Sequence, residues 1–341
     1  RTCHSHPRRT QYHDPKEGDT KTVVIYNTDG SMSESFSYDA TYGRLTSSTK
    51  RIPNKTFTNS YEYDWYGRPT SRTYPSGFEV EYGYNSGGHL DEITGAGTTI
   101  WSCSDVNVLG QVTSYSQGSY STTVEYDAFG VLEEVTTGSI FNMKYAFDDM
   151  GNLESREDVR TNQKEVFTYD DLNRITDIEY YLNGSHVSAE DFSISYGNDG
   201  NITSKTDVAS TINYGENNAG PHALTSIEEP IPTYKPSPQS IDYTCFNKVE
   251  TIRDTIAQDT VLSLTFTYGL ANQRVKMVES LNTTVQRVKY YDGDYEEDSS
   301  STGTKKYHYI SAPNGLTAIF VREGSADTLY HVLTDHLGSL N

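Results

Sequence analysis

The stretch Tyr126-Asp127-Ala128-Phe129-Gly130-Val131-Leu132 decides how this chain is read, because it is one copy of a phrase that recurs along most of its length. An aromatic residue is followed by Asp, two variable residues, Gly or Asn, then a basic or polar residue and an aliphatic one. Tyr38-Asp39-Ala40-Thr41-Tyr42-Gly43-Arg44-Leu45 carries the phrase with one extra residue. Tyr63-Asp64-Trp65-Tyr66-Gly67-Arg68, Phe147-Asp148-Asp149-Met150-Gly151-Asn152-Leu153 and Tyr169-Asp170-Asp171-Leu172-Asn173-Arg174-Ile175 repeat it. Looser copies begin at Tyr84, Tyr196, Tyr243 and Tyr268, and a degenerate one spans Asp105 to Val112. A period of this kind marks an array of similar supersecondary units.

The period identifies the unit. Lead aromatics stand 25 residues apart from Tyr38 to Tyr63, then 21 to Tyr84; from Tyr126 the steps are 21 and 22. Strands in all-β proteins come every 8–12 residues or so, so one period holds two strands and two turns. Between phrases the residues alternate. In Phe78-Glu79-Val80-Glu81-Tyr82 the aromatic and aliphatic side chains share one face and the glutamates the other, as in a strand with one buried face. Within the phrase, the Tyr ring is expected to stack on cross-strand neighbours with its hydroxyl in water. The Asp is expected to accept hydrogen bonds from turn N–H groups, and the Gly or Asn to take the positive φ that other residues resist. The chain is therefore expected to be all-β, an array of long antiparallel hairpins in one continuous curved sheet.

Composition agrees with a thin sheet. Leu, Ile, Val and Phe make up roughly a fifth of the chain, near the range of disordered proteins, but 28 tyrosines and regular alternation argue for order. A sheet that is wet on much of both faces needs no thick core. Residues 1–20 read as an irregular lead-in and 21–341 as the array. The proline-rich Glu228–Pro238 stretch reads as a loop between repeats, since proline cannot donate to a ladder. The stretch from Asp292-Gly293-Asp294 to Gly303 reads as a polar, acidic hairpin tip with solvated carboxylates.

A net charge of −20 disfavours nucleic acid as a partner, because phosphate binding needs clustered Lys and Arg. No stretch reaches the roughly 20 apolar residues of a membrane span. Cys3, Cys103 and Cys245 are odd in number and far apart, and read as buried or incidental thiols. Asp335 and His336, neighbours in Leu333-Thr334-Asp335-His336-Leu337-Gly338-Ser339, read as a structural turn, since adjacent strand residues face opposite ways. Asp148-Asp149 and Asp292-Gly293-Asp294 lack the spacing of a calcium loop. No nucleophile-elbow, zinc-helix or phosphate-loop phrase occurs, so no catalytic, cofactor or metal residue is assigned. Asn54, Asn183, Asn201 and Asn282 open glycosylation sequons that matter only in a glycosylating host. The first residue is Arg, so the chain is expected to be a piece of a longer protein.

The phrase resembles the YD repeat of the Rhs family, shared with the cocoon-forming subunits of Tc toxins and with teneurins. Gly220-Pro221-His222-Ala223-Leu224, the segment from Tyr307 to Ala318, and Asp335-His336-Leu337-Gly338 extend the resemblance from about Tyr38 to the end. It implies repeat positions at Tyr38, Asp39, Gly43, Tyr63, Asp64, Gly67, Tyr126, Asp127, Gly130, Phe147, Asp148, Gly151, Tyr169, Asp170 and Asn173, with Asp335, His336 and Gly338 leading towards the family's core. It further implies the wall of a hollow shell around a C-terminal toxin, exported from a bacterium as a secreted or cell-surface protein. Partners would be the chain's own C-terminal cargo and the remaining shell repeats. The family's self-cleaving aspartyl protease core is expected to lie beyond this segment, so no enzyme activity is assigned to it. The alternative is a surface-binding module for a receptor or glycan, with Trp65 and Trp101 as candidate stacking residues.

Overall fold

A computed structural model of the chain describes residues 9–13, 21–26, 31–216, 219–230, 239–257 and 260–340; residues 9–13, 21–26, 229–230, 239 and 257 are described by their backbone alone. The protein is all-β. Its strands, from Arg9–His13 to Ala326–His331, pair antiparallel and form sheets of 21 and nine strands among the described residues. The alternation seen in the sequence sets the pleat. In Lys55–Tyr63 the side chains of Phe57 and Asn59 are buried while Thr56 and Thr58 are exposed, and in Glu79–Tyr84 Val80 is buried between exposed glutamates.

Lead aromatics from Tyr38 to Tyr196, and Tyr268, sit at register shifts. Pairing slips between Glu62 and Tyr63, Glu125 and Tyr126, Ala146 and Phe147, and Thr168 and Tyr169. The cause is the turn that follows. The N–H of Gly67 donates to the Asp64 carbonyl at 3.1 Å, closing a β-turn, and the N–H of Asp64 donates to the Arg68 carbonyl at 2.9 Å. A turn of this type ends in a residue with positive φ that forms a bulge. Gly67, Gly130, Gly151 and Gly338 have φ of +84° and Gly43 +68°, while Asn173 holds the same place at +57°.

Two compact units divide the chain: Arg1–Cys103 with Glu250–Ile252 and Asp259–Val332, and Ser104–Val249 with Arg253–Gln258 and Leu333–Asn341. In the first, strands around Phe57, Phe78, Val80, Ile93, Ile100 and Trp101 meet strands around Tyr295, Ile310 and Phe320. Phe78 stacks on Phe320 with centroids 3.9 Å apart, and Phe57 meets Tyr295 edge-on at 5.9 Å. In the second, Phe141, Met143 and Tyr145 form a smaller cluster with Val135, Phe147, Leu153 and Leu333 against it.

Several expectations are corrected. The lead-in is not irregular throughout: Arg9–His13 pairs with Lys21–Tyr26, because a β-branched-rich strand offers its edge to a short extended run. Among the described residues there are two sheets instead of one, and the division falls between strands Leu224–Pro230 and Gln239–Tyr243. Glu228, Glu229 and Pro230 belong to the strand, with Pro230 at its last pair opposite Ala209; residues 231–238 lie outside the described residues. The first unit has a true core, since two sets of strands press aromatic faces together. Cys245 is disulfide-bonded.

Candidate functional site

The repeated turn is the feature with the most conserved geometry in the molecule, and its chemistry starts at the carboxylate. Asp127 Oδ1 accepts from the N–H groups of Phe129 and Val131, both at 2.8 Å. Asp148 does the same for Met150 and Asn152, Asp170 for Leu172 and Arg174, and Asp335 for Leu337 and Ser339. Asn107 replaces the acid in the degenerate copy with the same two bonds, to Leu109 and Gln111. Asp39 accepts from Thr41, Tyr42 and Arg44, and the Tyr42 N–H leads in holding its carboxyl down at about 2. The Asn152 amide does this for Asp148 and the Arg174 guanidinium for Asp170, both of which lie below the usual range. At Asp64 desolvation opposes the shift, but bonds from Arg68 outweigh it.

The turns are tied to one another, which the sequence did not reveal. Four lead tyrosine hydroxyls also hold the backbone, each donating to a carbonyl in the preceding repeat: Tyr84 to Pro69, Tyr169 to Leu153 and Tyr243 to Leu224, each at 2.8 Å, and Tyr196 to Ile175 at 2.9 Å. The residue after the turn glycine reaches forward instead. Arg44 donates to the Asp64 carbonyl at 2.8 Å, Gln111 to the Gly130 carbonyl at 2.9 Å, and Asn152 to Asn173 Oδ1 at 3.1 Å. Arg68 stacks over Tyr84 and Arg174 over Tyr196, both 4.3 Å from the centroid. The basic or polar position and the aromatic position of the phrase are thus partners across consecutive repeats. A regular 21-residue spacing is the signal that could have exposed this pairing.

The variable positions of the phrase point outward. Trp65 and Tyr66 are each 81% exposed, and Phe129, Met150 and Leu172 stand free at successive turn tips. Tyr42 meets Trp65 edge-on at 6.1 Å. Trp101, the other candidate stacking residue, is fully buried together with its neighbour Ile100 and has no surface to offer.

The acidic stretch is a buried strand, Tyr295–Ser300, and not a solvated tip. Asp292, Glu297 and Asp298 are buried, and their charges are met by cations from elsewhere in the chain. Lys50 lies 2.7 Å from Asp292, Arg72 2.9 Å from Asp294, and Lys55 pairs with Glu297. Arg287 pairs with Asp298 and holds its carboxyl below the usual range. Desolvation forces such pairing, since a lone buried charge is strongly unfavourable. No group of three or more His, Cys, Asp or Glu side chains suited to a metal ion occurs among the described residues.

Beside that strand lies His308, which sequence reading passed over. It shares the inward face of Gly303–Ala312 with Ile310, and this alternation is the signal that marks it. In the second unit His336 lies against Tyr145 at 4.7 Å while Asp335 stands 3.6 Å from Arg156. The two neighbours therefore serve separate contacts and form no acid–base pair.

No protein-family model matches the sequence, and no curated protein matches it. Solved structures do share the fold. A crystal structure of TcdB2–TccC3 superposes with a TM-score of 0.65 at 11% identity, over 98% of this chain and 22% of that one. A Photorhabdus luminescens Tc holotoxin pore superposes equally well, over 98% and 21%. A complex of TcdB2–TccC3 with Cdc42 gives 0.63 at 12% identity. This chain spans about a fifth of the length of the chains it matches. Among the described residues no helix is long and apolar enough to cross a membrane.

Proposed function

We propose that this chain is a stretch of wall in a hollow β-shell that encloses a toxic C-terminal segment of its own polypeptide until delivery. The observation that carries the reading is the stack of interlocked turns, on a fold shared over 98% of the chain with TcdB2–TccC3. Tyrosine hydroxyls reach back one repeat and Arg, Gln or Asn side chains reach forward one, so successive hairpins are fastened at several of their turn ends as well as along their strands. Such a wall acts by steric exclusion of proteases and needs no catalytic group. The net charge of −20 keeps a large exposed sheet soluble and favours a basic cargo. The partners are that cargo and further repeats of the shell, in a protein exported from a bacterium. The test is limited proteolysis of the full-length protein. Its C-terminal fragment should co-purify and resist added protease until the wall is denatured; digestion as fast as that of free cargo would refute the reading.

One observation favours a second reading. Tyr42, Trp65 and Tyr66 form an exposed aromatic patch that could stack on a sugar or a partner protein. Trp65→Ala would then abolish binding to cells or glycans, whereas a wall would be indifferent to it.

A further inference from the structure

His308 closes a seam between parts of the first unit that are far apart in sequence. The turn Tyr74–Phe78 lodges against strands Tyr295–Ser300, Gly303–Ala312 and Gly315–Glu323, and the imidazole sits at the centre of the contact, fully buried. Four rings surround it at centroid distances of 5.0 to 5.3 Å: Phe78, Tyr295, Tyr74 and Phe320. Its hydrogen bonds settle the tautomer. A carbonyl oxygen only accepts, so Nδ1 carries the proton and donates to Phe320 at 2.9 Å. Nε2 is then a bare acceptor, filled by the hydroxyl of Ser76 across the seam at 2.6 Å. The hydroxyl oxygen of Ser76 accepts in turn from the Phe78 N–H at 3.2 Å.

A second proton has only Nε2 to go to, and the Ser76 O–H already points there. The charged groups nearby do not favour it. From Tyr74–Phe78 and its preceding strand come Tyr74, Ser76 and Arg72, the last stacked over Tyr74 at 4.2 Å. From Tyr295–Ser300 come Tyr295 and Glu297, which bond to each other at 2.7 Å. From Gly315–Glu323 comes Arg322, which donates to the Ser76 carbonyl at 3.4 Å; its own strand adds Lys306. Asp327, from Ala326–His331, is the carboxylate that acts on the ring, and it is already bound by Arg322 at 2.8 Å. Among the described residues no carboxylate forms an ion pair with His308.

We propose that the seam between Tyr74–Phe78 and Gly303–Ala312 is an acid-released latch, held shut by neutral His308 and opened when Nε2 takes up a proton from solvent. Protonation turns Nε2 from acceptor to donor, so the Ser76 hydroxyl loses its acceptor there, and it leaves a buried imidazolium among four rings without a paired carboxylate, which only separation of the two segments can hydrate. Burial, the leading cause, already lowers the group from 6.5 to about 4. A base depressed in this way contributes stability that is full above 6.5 and is lost as the pH falls towards 4. In a shell wall the latch would loosen the wall in an acidic compartment. That consequence rests on the proposed function, but the latch itself does not.

The test is hydrogen exchange of this chain, corrected for intrinsic rates, from pH 7 to pH 4. Amides of Tyr74–Val80 and His308–Phe320 should lose protection by about 100-fold over that range, the ratio set by a shift of this size. Strands Gln163–Tyr169 and Ile175–Leu182 of the second unit should keep theirs. His308→Gln retains hydrogen-bonding groups and cannot titrate, so its seam should show a flat profile, whatever its protection at pH 7. Equal loss in wild type and His308→Gln would assign the effect to carboxylates and overturn the latch, as would a seam that stays protected at pH 4. Neither result bears on whether the full-length protein shields a cargo from protease, so the two readings fail separately.

Discussion

Gly130 and Gly151 occupy the same place in the turn with the same φ of +84°, yet their surroundings differ, and this makes them a matched pair. A Cβ at Gly151 would meet nothing within 4 Å. At Gly130 it would lie 3.1 Å from Leu109 Cδ1 and 3.2 Å from Gln111 Oε1. Gly151→Ala therefore carries only the left-handed backbone cost of a non-glycine residue, about 1–2 kcal/mol. Gly130→Ala carries that and also displaces Gln111, whose amide donates to the Gly130 carbonyl and accepts from Asn107, each at 2.9 Å. Losing one or both bonds adds about 0.5–1.5 kcal/mol each, so Gly130→Ala should cost about 1–2 kcal/mol more than Gly151→Ala. Because repeat arrays open locally, denaturant midpoints should be read together with hydrogen exchange in the flanking strands Tyr120–Tyr126 and Leu132–Thr137. Gly151→Asn, which copies Asn173, should be nearly silent. If Gly151→Ala proved as costly as Gly130→Ala, the stacking of Gln111 onto the next turn would have no energetic content. If both were neutral, the turn assignment itself would fail.

Two further outcomes follow from the same turns. Tyr169→Phe removes the hydroxyl that donates to the Leu153 carbonyl and should lower stability by about 1 kcal/mol; an unchanged midpoint would show that water replaces the bond at no cost. The turn carboxylates Asp39, Asp64, Asp148 and Asp170 all lie below their ordinary range, so their stabilisation is full above about 4 and is lost as the pH falls below it, towards about 2 in the case of Asp39. An array with Asp148→Asn should unfold less steeply in acid, since Asn107 fills this role without a charge, and a profile identical to wild type would contradict it.

The sequence made the turns legible because their chemistry is local. An Asp oxygen, two N–H groups and a residue tolerant of positive φ fall within five positions, and Asn107 and Asn173 show which substitutions the geometry accepts. What escaped were contacts made across the array. The hydroxyl of Tyr169 finds a carbonyl 16 residues back, fixed by the stacking of hairpins and not by any neighbour in sequence. Residues 292–300 looked solvated because their carboxylates stand together, while Lys50, Lys55 and Arg72, which pair with Asp292, Glu297 and Asp294, lie more than 220 positions away. Trp101 looked available for stacking and Cys245 free for the same reason, since burial and disulfide pairing are decided by the tertiary fold. His308 was marked by its alternation with Ile310, but nothing nearby announced Ser76 or Phe78 as its partners.

Electron cryo-microscopy of the full-length protein tests the central claim most directly. The account predicts a closed shell whose wall contains this chain's hairpins, with density for the C-terminal segment confined to the lumen. An open sheet with solvent on both faces, and that segment folded outside it, would contradict the account.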